Sequence, residues 1–423
     1  MSAMPDERVA FSTIQDAIAA IAEGKLIIVV DDEDRENEGD FIGAAARVTP
    51  EMVNFMITHG RGIFCVPILP HRADELRLGP AAEDNTSLHR TAFRVSVDAR
   101  SARTGTSAHE RAETVRLLVD PRSRPDDLAR PGHVFPITAQ EGGVLRRAGH
   151  TEAAVDLARL AGLAPAGILC EILDSDGSMA RRDRLIALSK EHRMPIITVE
   201  ELIRYRRRTE KLVVRAVGPT AVPLKAGNFQ VIAYHVRYEK QEPFAIFMGD
   251  LARAEAPLVR MHSSCFTGDV LESLRCDCGD QLNIALRMIA SDGVGALVYL
   301  PQEGRGIGLV EKLKAYKLQD DGLDTVEANL ALGYRADMRD YGVGIQILKD
   351  LGLTRVRILT NNPKKVDAFI TYAYDLTVVD QVPLIAPHDP HRERYIETKR
   401  KKLGHRIPHA GADGRPPEKP SLT

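Results

Sequence analysis

A chain of 423 residues, at about 150 residues per domain, predicts two or three domains and excludes a single core. Hydrophobic residues at 44% and charged residues at 27% lie near globular averages, which disfavours a largely disordered chain or a fibrous repeat. Lys+Arg 57 against Asp+Glu 59 gives a formal net charge of −2, without the broad basic footprint of general nucleic-acid binding, so small charged ligands are the expected partners.

Met1 to Ala10 has acidic residues and no apolar signal core, and no later apolar run approaches the roughly 18 residues that span a bilayer. The expectation is a cytoplasmic protein with no membrane partner. Ile14, Ala17, Ile18 and Ile21 stand at helical spacing and predict a helix over Phe11 to Ala22, then a buried strand over Leu26 to Val30. Strands are predicted at Ala92 to Val97, Gly167 to Leu173 and Met194 to Thr198, and helices at Thr151 to Ala161 and Asp183 to His192. This half reads as mixed α/β. A helix-like Val199 to Ile203 runs into the charged Tyr205 to Lys211, and a strand-rich region opens at Leu212, so the chain divides into domains 1–207 and 208–423.

Asp31 to Asp40 holds seven carboxylates in ten residues directly after the first strand. Charges packed so densely cost stability unless cations offset them, and hard divalent cations prefer carboxylate oxygen, so the stretch reads as a Mg²⁺ site or a solvated acidic loop. Arg147-Ala148-Gly149-His150-Thr151 opens a predicted helix, where an amino terminus with Arg and Thr suits a phosphate and His150 can ligate metal. Cys170-Glu171 ends a strand and Arg130-Pro131-Gly132-His133 sits on a predicted turn, offering groups for proton transfer. With His59-Gly60-Arg61-Gly62, Thr91-Ala92-Phe93, Val95-Ser96-Val97-Asp98, Thr104-Gly105, Arg130 to Pro136 and Gly142-Gly143-Val144-Leu145, residues 10–207 resemble the 3,4-dihydroxy-2-butanone 4-phosphate synthase family. The resemblance implies that ribulose 5-phosphate is rearranged with loss of C4 as formate, with Mg²⁺ or Mn²⁺ holding the sugar oxygens. By position, Glu36 and His150 would bind the metal. Arg35, Glu36, Asp40, Arg147, Ala148, Gly149, His150, Thr151 and Glu171 would contact the sugar phosphate, and His133 and Glu171 would be the catalytic pair. Enolisation needs a base beside a carbonyl and a metal to stabilise the developing charge. Arg90 and Arg103 stand where many relatives carry smaller residues.

Beyond Leu212, strands are predicted at Leu212 to Val217, Phe229 to Tyr238, Pro243 to Met248, Ala296 to Leu300 and Arg355 to Leu359, with helices at Asp280 to Ala290 and Ile307 to Leu318. No internal repeat is visible, so the fold class is α/β (mixed α+β), with two different domains in tandem, each with its own sheet. Lys399 to Lys402, with four prolines after it, reads as the start of a solvated basic tail. Five cysteines is an odd number, and Cys265, Cys276 and Cys278 fall within fourteen residues, which suits reduced thiols or metal ligands better than disulfides. Three thiols among Arg275, Asp277 and Asp280 are one short of a closed zinc tetrahedron, and their formal charge on zinc is −1, so nearby cations or a base must assist.

Glu303-Gly304-Arg305-Gly306-Ile307-Gly308 follows a strand and precedes a helix, the arrangement of a phosphate-cradling loop, but lacks the Gly-Lys-Ser/Thr ending of an ATPase and the spacing of a dinucleotide loop. Thr360-Asn361-Asn362-Pro363-Lys364-Lys365 adds a hydroxyl and two ammonium groups for a polyphosphate. Together with Arg260 to Ser263, Thr267-Gly268-Asp269, Arg275 to Gly279, Gln281-Leu282, Lys314-Ala315-Tyr316, Leu318-Gln319-Asp320, Asp324 to Asn329, Ala336-Asp337 and Arg339-Asp340, residues 208–405 resemble GTP cyclohydrolase II. The resemblance implies hydrolysis of GTP to formate, pyrophosphate and a diaminopyrimidinone ribosyl phosphate. Cys265, Cys276 and Cys278 would bind Zn²⁺, with Mg²⁺ accompanying GTP. Arg260, Met261, His262, Ser263, Ser264, Gln281, Glu303, Gly304, Arg305, Thr325, Thr360 and Lys365 would hold the nucleotide, and Asp337 would accept a proton. The family assigns Arg339 as nucleophile at the α-phosphate, but a guanidinium with a pKa above about 12 is equally suited to charge stabilisation. Ser264 stands where relatives often carry Glu. The whole chain resembles the bifunctional enzymes of riboflavin biosynthesis, with a homodimer implied by both families. The alternative is that only one domain is active and the other is structural.

Overall fold

The computed structural model describes residues 11–33, 35–372 and 375–407; Met1 to Ala10, Asp34 and the four late prolines lie outside them. The chain divides into two units between Arg206 and Arg207. In the first, helices α1 (Ile14–Ala22), α2 (Pro50–His59), α3 (Pro70–Glu75), α4 (Ala108–Val119), α5 (His150–Leu160), α6 (Arg182–His192) and α7 (Val199–Thr209, which runs across the division) accompany strands β1 (Ile27–Val30), β2 (Gly39–Ala44), β3 (Cys65–Ile68), β4 (Val97–Ala99), β5 (Leu128–Thr138), β6 (Gly167–Glu171) and β7 (Ile196–Thr198). Thr13, Thr49 and Ser107 cap α1, α2 and α4 by accepting a backbone N–H on the side-chain oxygen.

The strands form one mixed sheet in the order β4-β5-β3-β6-β2-β1-β7, parallel at β1/β7 and β3/β5 and antiparallel elsewhere. Side chains alternate across a strand, so in β1 Ile28 and Val30 belong to the core on one face and Ile27 and Val29 to the core on the other. All four are buried, which is why this β-branched run has no polar position. The acidic stretch leaves the end of β1, and His150, the first residue of α5, reaches the Val29 carbonyl of the same strand.

Five expectations are corrected by the fold. Ala92 to Val97 is not a strand: Phe93 and Arg94 make isolated bridges and pairing begins at Val97. The Arg130 to His133 segment lies inside β5 rather than on a turn. Val97 pairs with Val134 while Asp98 pairs with Ala129, so residues 130–133 are thrown out as a bulge, and a Cβ on Gly132 would stand 2.1 Å from the Val97 carbonyl carbon. Helix α7 does not stop near Ile203, because Arg204 pairs with Glu200 and Glu201 and Arg206 is buried.

The Arg206 guanidinium, 1% exposed, donates to Asp156 Oδ2 at 2.7 Å and to the Gly142 carbonyl at 2.6 Å. Arg206→Ala strips the buried Asp156 of its closest cation and is expected to cost the first unit about 3–5 kcal/mol in urea unfolding. A loss below about 1 kcal/mol would show that Asp156 is satisfied without it.

The second unit contains strands β8 (Val213–Leu224), β9 (Gly227–Val236), β10 (Phe244–Met248), β11 (Leu258–Ser263), β12 (Gly295–Leu300), β13 (Arg355–Leu359) and β14 (Thr377–Val382), with helices α8 (Cys278–Asp292), α9 (Leu309–Asp320), α10 (Thr325–Ala331), α11 (Gly342–Asp350), α12 (Pro363–Tyr372) and α13 (Glu393–Lys401). The order is β14-β13-β11-β12-β10-β9-β8, with a parallel half (β14 to β12) and an antiparallel half (β12 to β8). The parallel strands β11, β12 and β13 all deliver their carboxyl ends to one side, the place where open α/β sheets bind ligands. Helix α9 begins two residues later than expected because Gly308, at φ 90°, cannot continue a right-handed helix. The fifth correction concerns the tail: Lys399 to Lys401 end α13, and Lys399 is buried against Asp277. Among the described residues, no helix is long and apolar enough to cross a membrane.

Candidate active sites

In the first unit the acidic stretch is organised by Asp31, which accepts from Arg35 Nη1 at 2.8 Å and from the backbone N–H of Glu36 and Glu38 at 3.2 and 2.9 Å. His150 opens α5 and is buried, with Nε2 3.1 Å from the Val29 carbonyl. A carbonyl only accepts, so Nε2 carries the hydrogen and Nδ1 presents a lone pair. Nδ1 stands 3.9 Å from Glu36 Oε2 and 3.9 Å from Asp40 Oδ2. Candidate ligand atoms of Asp31, Glu36 and His150 all lie within 4.8 Å of one another. Asp40 is buried on β2, its Oδ1 has no partner among the described residues, and burial together with the charges of Glu171 and Glu38 pushes its carboxyl well above the usual range. Burial, then Glu36 and Asp31, likewise push Glu38 up to about 7. Crowded carboxylates, an orphaned oxygen and an imidazole lone pair fit a hard divalent cation.

Arg35 and Arg147 flank the amino terminus of α5: a Cβ on Gly149 would stand 2.5 Å from Arg147 Nη1 and 3.2 Å from Arg35 Nη2. Arg147 is anchored by Glu152 at 2.8 Å and by Thr91 Oγ1 at 3.2 Å. Two guanidiniums and free helix N–H groups converge where a phosphate binds well, with Ala148 and Thr151 on the same turn. Glu171 pairs with Asp40 in register, accepts the Ile63 N–H at 2.7 Å, and is pushed up by burial. His133 stands apart from it, on β5 with β3 between, its Nδ1 2.7 Å from Asp98 Oδ2 and its backbone N–H donating to Asp98 Oδ1 at 2.9 Å. The structure therefore gathers Arg35, Glu36, Asp40, Arg147, Gly149, His150 and Glu171, and holds His133 on a separate carboxylate. Sequence reasoning missed Asp31 as an organiser and Asp98 as the partner of His133. Arg90 and Arg103 are exposed on the 84–103 segment.

In the second unit Cys265 comes just after β11, and Cys276 and Cys278 enter α8. Their sulfurs lie within 4.8 Å of one another, Cys265 and Cys276 at 3.6 Å. Gly268 is packed on this cluster, where a Cβ would stand 2.9 Å from Cys276 Sγ and 3.1 Å from Cys265 Sγ. Hydrogen bonds from Cys276 and Cys278, reinforced by the Lys312 ammonium, draw the Cys265 thiol far below its usual range. Lys312 Nζ is 3.1 Å from Cys265 Sγ, 2.9 Å from Thr267 Oγ1 and 2.7 Å from Glu303 Oε1. It is the cation that three thiolates require, and nothing in the sequence singles it out. Three convergent sulfurs with a preformed thiolate fit zinc.

Two adjoining cavities meet at this centre. One is lined by Ser263, Ser264, the three cysteines, Glu303, Gly304, Arg305, Thr325 and Arg339. The other is lined by Arg260, His262, Gln281, Arg305, Arg339, Thr360 and Lys365. Cations are crowded here beyond their partners. Burial draws Arg260 down to about 10, and burial with Arg260, Arg339 and Lys399 draws Lys365 well below its range. Arg260 Nε, His262 Nδ1 and Arg305 Nη2 are buried without a partner among the described residues. Such a cavity is suited to a polyanion. Met261 is not part of the lining: it is buried on β11, and its carbonyl accepts from Lys365 at 2.6 Å. Asp337 spends both oxygens on Arg339, at 2.9 Å to Nε and 2.7 Å to Nη2.

Residues 15–205 match the family model of 3,4-dihydroxy-2-butanone 4-phosphate synthase, and residues 215–383 that of GTP cyclohydrolase II. The chain is 54% identical over 395 residues to a riboflavin biosynthesis protein RibBA of Bacillus mycoides (strain KBAB4), covering 93% of this chain and 99% of that one. Among solved structures it is similar to RibBX, a two domain 3,4-dihydroxy-2-butanone 4-phosphate synthase from A. baumannii, with 34% identity, a TM-score of 0.67, and coverage of 88% of this chain and 99% of that chain. A 3,4-dihydroxy-2-butanone 4-phosphate synthase solved in complex with two magnesium ions is 40% identical over 47% of this chain and 98% of its own, with a TM-score of 0.46.

Proposed function

Since the chain belongs to the bifunctional riboflavin biosynthesis family that joins 3,4-dihydroxy-2-butanone 4-phosphate synthase to GTP cyclohydrolase II, we propose that its two units divide the two reactions between the sites described above. It is a lyase and a hydrolase in one chain. The substrates are ribulose 5-phosphate for the first unit and GTP for the second. The observation that carries the assignment is the pairing of a carboxylate-crowded cleft with one helix amino terminus in the first unit and a cation-crowded cavity with three thiols in the second.

In the first site Glu36 and His150 hold Mg²⁺ or Mn²⁺, which supplies electrophilic stabilisation of charge on the sugar oxygens. Arg35, Arg147 and the α5 amino terminus hold the phosphate. His133, held by Asp98 through Nδ1 and partly exposed, has Nε2 left to serve as a proton carrier, and Glu171 serves as the second. Asp98→Asn keeps the size of the side chain but loses the charge that orients the ring, and is expected to lower kcat for formate release from ribulose 5-phosphate about 10- to 100-fold, with GTP turnover unchanged. A formate assay on both substrates checks it, and an unaltered kcat removes His133 from the proton path.

In the second site Cys265, Cys276 and Cys278 hold Zn²⁺, which supplies Lewis-acid activation for opening the imidazole ring. Lys312 offsets the third thiolate. Arg260, Arg305 and Lys365 hold the triphosphate with its Mg²⁺. Arg339, against the opposing effect of burial, is raised above its ordinary range by Tyr341 and Asp337, stays protonated and stabilises charge at the α-phosphate rather than attacking it. We further propose a cytoplasmic location, consistent with five unpaired thiols, and a homodimer, to be checked by light scattering. Mass spectrometry of products from ribulose 5-phosphate plus Mg²⁺ and, separately, from GTP plus Mg²⁺ is the direct test. Formate is expected from both; formate from one alone would return the other unit to a structural role.

A further inference from the structure

The family match in the second unit ends at residue 383, yet the chain beyond it reaches back to the nucleotide cavity. Tyr395, Lys399, Leu403 and His405, from α13 and the turn after it, line that cavity. The segment is tied down at several places. Arg392 Nη1 donates to Asp280 Oδ2 at 2.5 Å and to the Cys276 carbonyl at 3.3 Å, and Lys399 pairs with the buried Asp277 that lies between two thiol ligands. Lys402 pairs with Asp324 and, at 2.8 Å, with Glu327, the two side chains that cap α10 where Thr325 begins it. The Arg406 N–H donates to the Asn361 carbonyl at 2.9 Å, next to Thr360. A single segment, 392–406, thus bridges the thiol loop, the α10 cap and the Thr360 to Lys365 loop.

A brace alone does not account for the position of Lys399. Its side chain is 9% exposed, it crosses the ring of Tyr395 at 4.7 Å, and it faces the same space as Arg260, Arg339 and Lys365. Burying a further cation beside Arg260, Arg305, Arg339 and Lys365, with a single carboxylate to meet it, is unfavourable in the empty protein and favourable once a polyanion arrives.

We propose that residues 392–406 are a strap that completes the nucleotide site, and that Lys399 is a phosphate-binding residue shared between Asp277 and the triphosphate. The proposal rests on the reading of this cavity as the GTP site, and turnover of GTP by the unaltered protein tests that reading separately.

The test uses the full chain with Lys399→Met and Lys399→Arg, measuring KM and kcat for GTP and zinc content. Lys399→Met is expected to raise KM by about tenfold or more, the loss of one charge-assisted contact, while kcat stays within about threefold and zinc is retained. Lys399→Arg is expected to recover KM to within about threefold. A Met variant with unaltered KM overturns the proposal. So does one that loses zinc and kcat at constant KM, because Lys399 then acts only on the thiol loop. Should the Met variant not fold, hydrogen exchange of the unaltered protein with and without inorganic pyrophosphate decides. Slower exchange of the 393–405 amides is expected, and protection confined to residues 360–365 overturns the proposal.

Discussion

Cys276→Ser is expected to remove zinc, from about one ion per chain to a small fraction of that, and to abolish formate release from GTP while ribulose 5-phosphate turnover persists. The reason is geometric as well as chemical. Cys276 Sγ is 3.6 Å from Cys265 Sγ, and both pack on Gly268, so a hydroxyl in its place is a harder, weaker ligand with no sulfur to replace it. A site with three protein ligands has none to spare. Chelation of the unaltered protein should reproduce the effect and added zinc should reverse it. Metal analysis and both product assays on one preparation measure it; full ring opening by a zinc-free variant would sink the assignment of the three thiols.

Glu36→Gln is expected to remove formate release from ribulose 5-phosphate by at least about a hundredfold while GTP turnover stays within about twofold. Glu36 is, with Asp40, one of two carboxylates that face Nδ1 of His150, and an amide is a weaker ligand for a hard cation. Arg35, at 2.8 Å from Glu36 Oε1, loses an ion pair, and a lower affinity for the sugar phosphate should accompany the lost rate. Activity that survives at the usual Mg²⁺ concentration would mean that Asp31 and Asp40 suffice for the metal.

What was legible in the sequence was chemistry concentrated in short segments. Seven carboxylates in ten residues and three thiols in fourteen stand out because such densities are costly without a ligand. Strands β1 and β12 were readable from continuous β-branched and apolar runs. Strand β2 was not, because Gly39 and Gly43 look like turn residues; each instead leaves room for a neighbour, Leu185 at Gly39 and Leu26 at Gly43, where a Cβ would stand within 2.8 Å. The end of helix α13, from Lys399, reads as a solvated tail because six of the nine residues of that helix are Glu, Lys or Arg in positions that pattern cannot distinguish, and contact with Asp277, 122 residues earlier, makes Lys399 interior. The separation of His133 from Glu171 was invisible for the same reason: it depends on strand order, and β3 falls between β5 and β6 by pairings that no local signal records.

The strap also sets a clock. Chains emerge at about 5–20 residues per second and their domains fold in order of emergence, so the first unit has its last helix, with the buried Arg206, once Thr209 is out, whereas the second cavity lacks a wall until His405 emerges. The interval is about 10–40 s at those speeds, and through it a nascent chain holds one finished catalyst and one unfinished one. Ribosomes that stop early, anywhere between these points, release a sugar-phosphate enzyme without its partner activity and never the reverse. In a chain that serves two branches of one synthesis, translational accidents thus skew supply in a single direction.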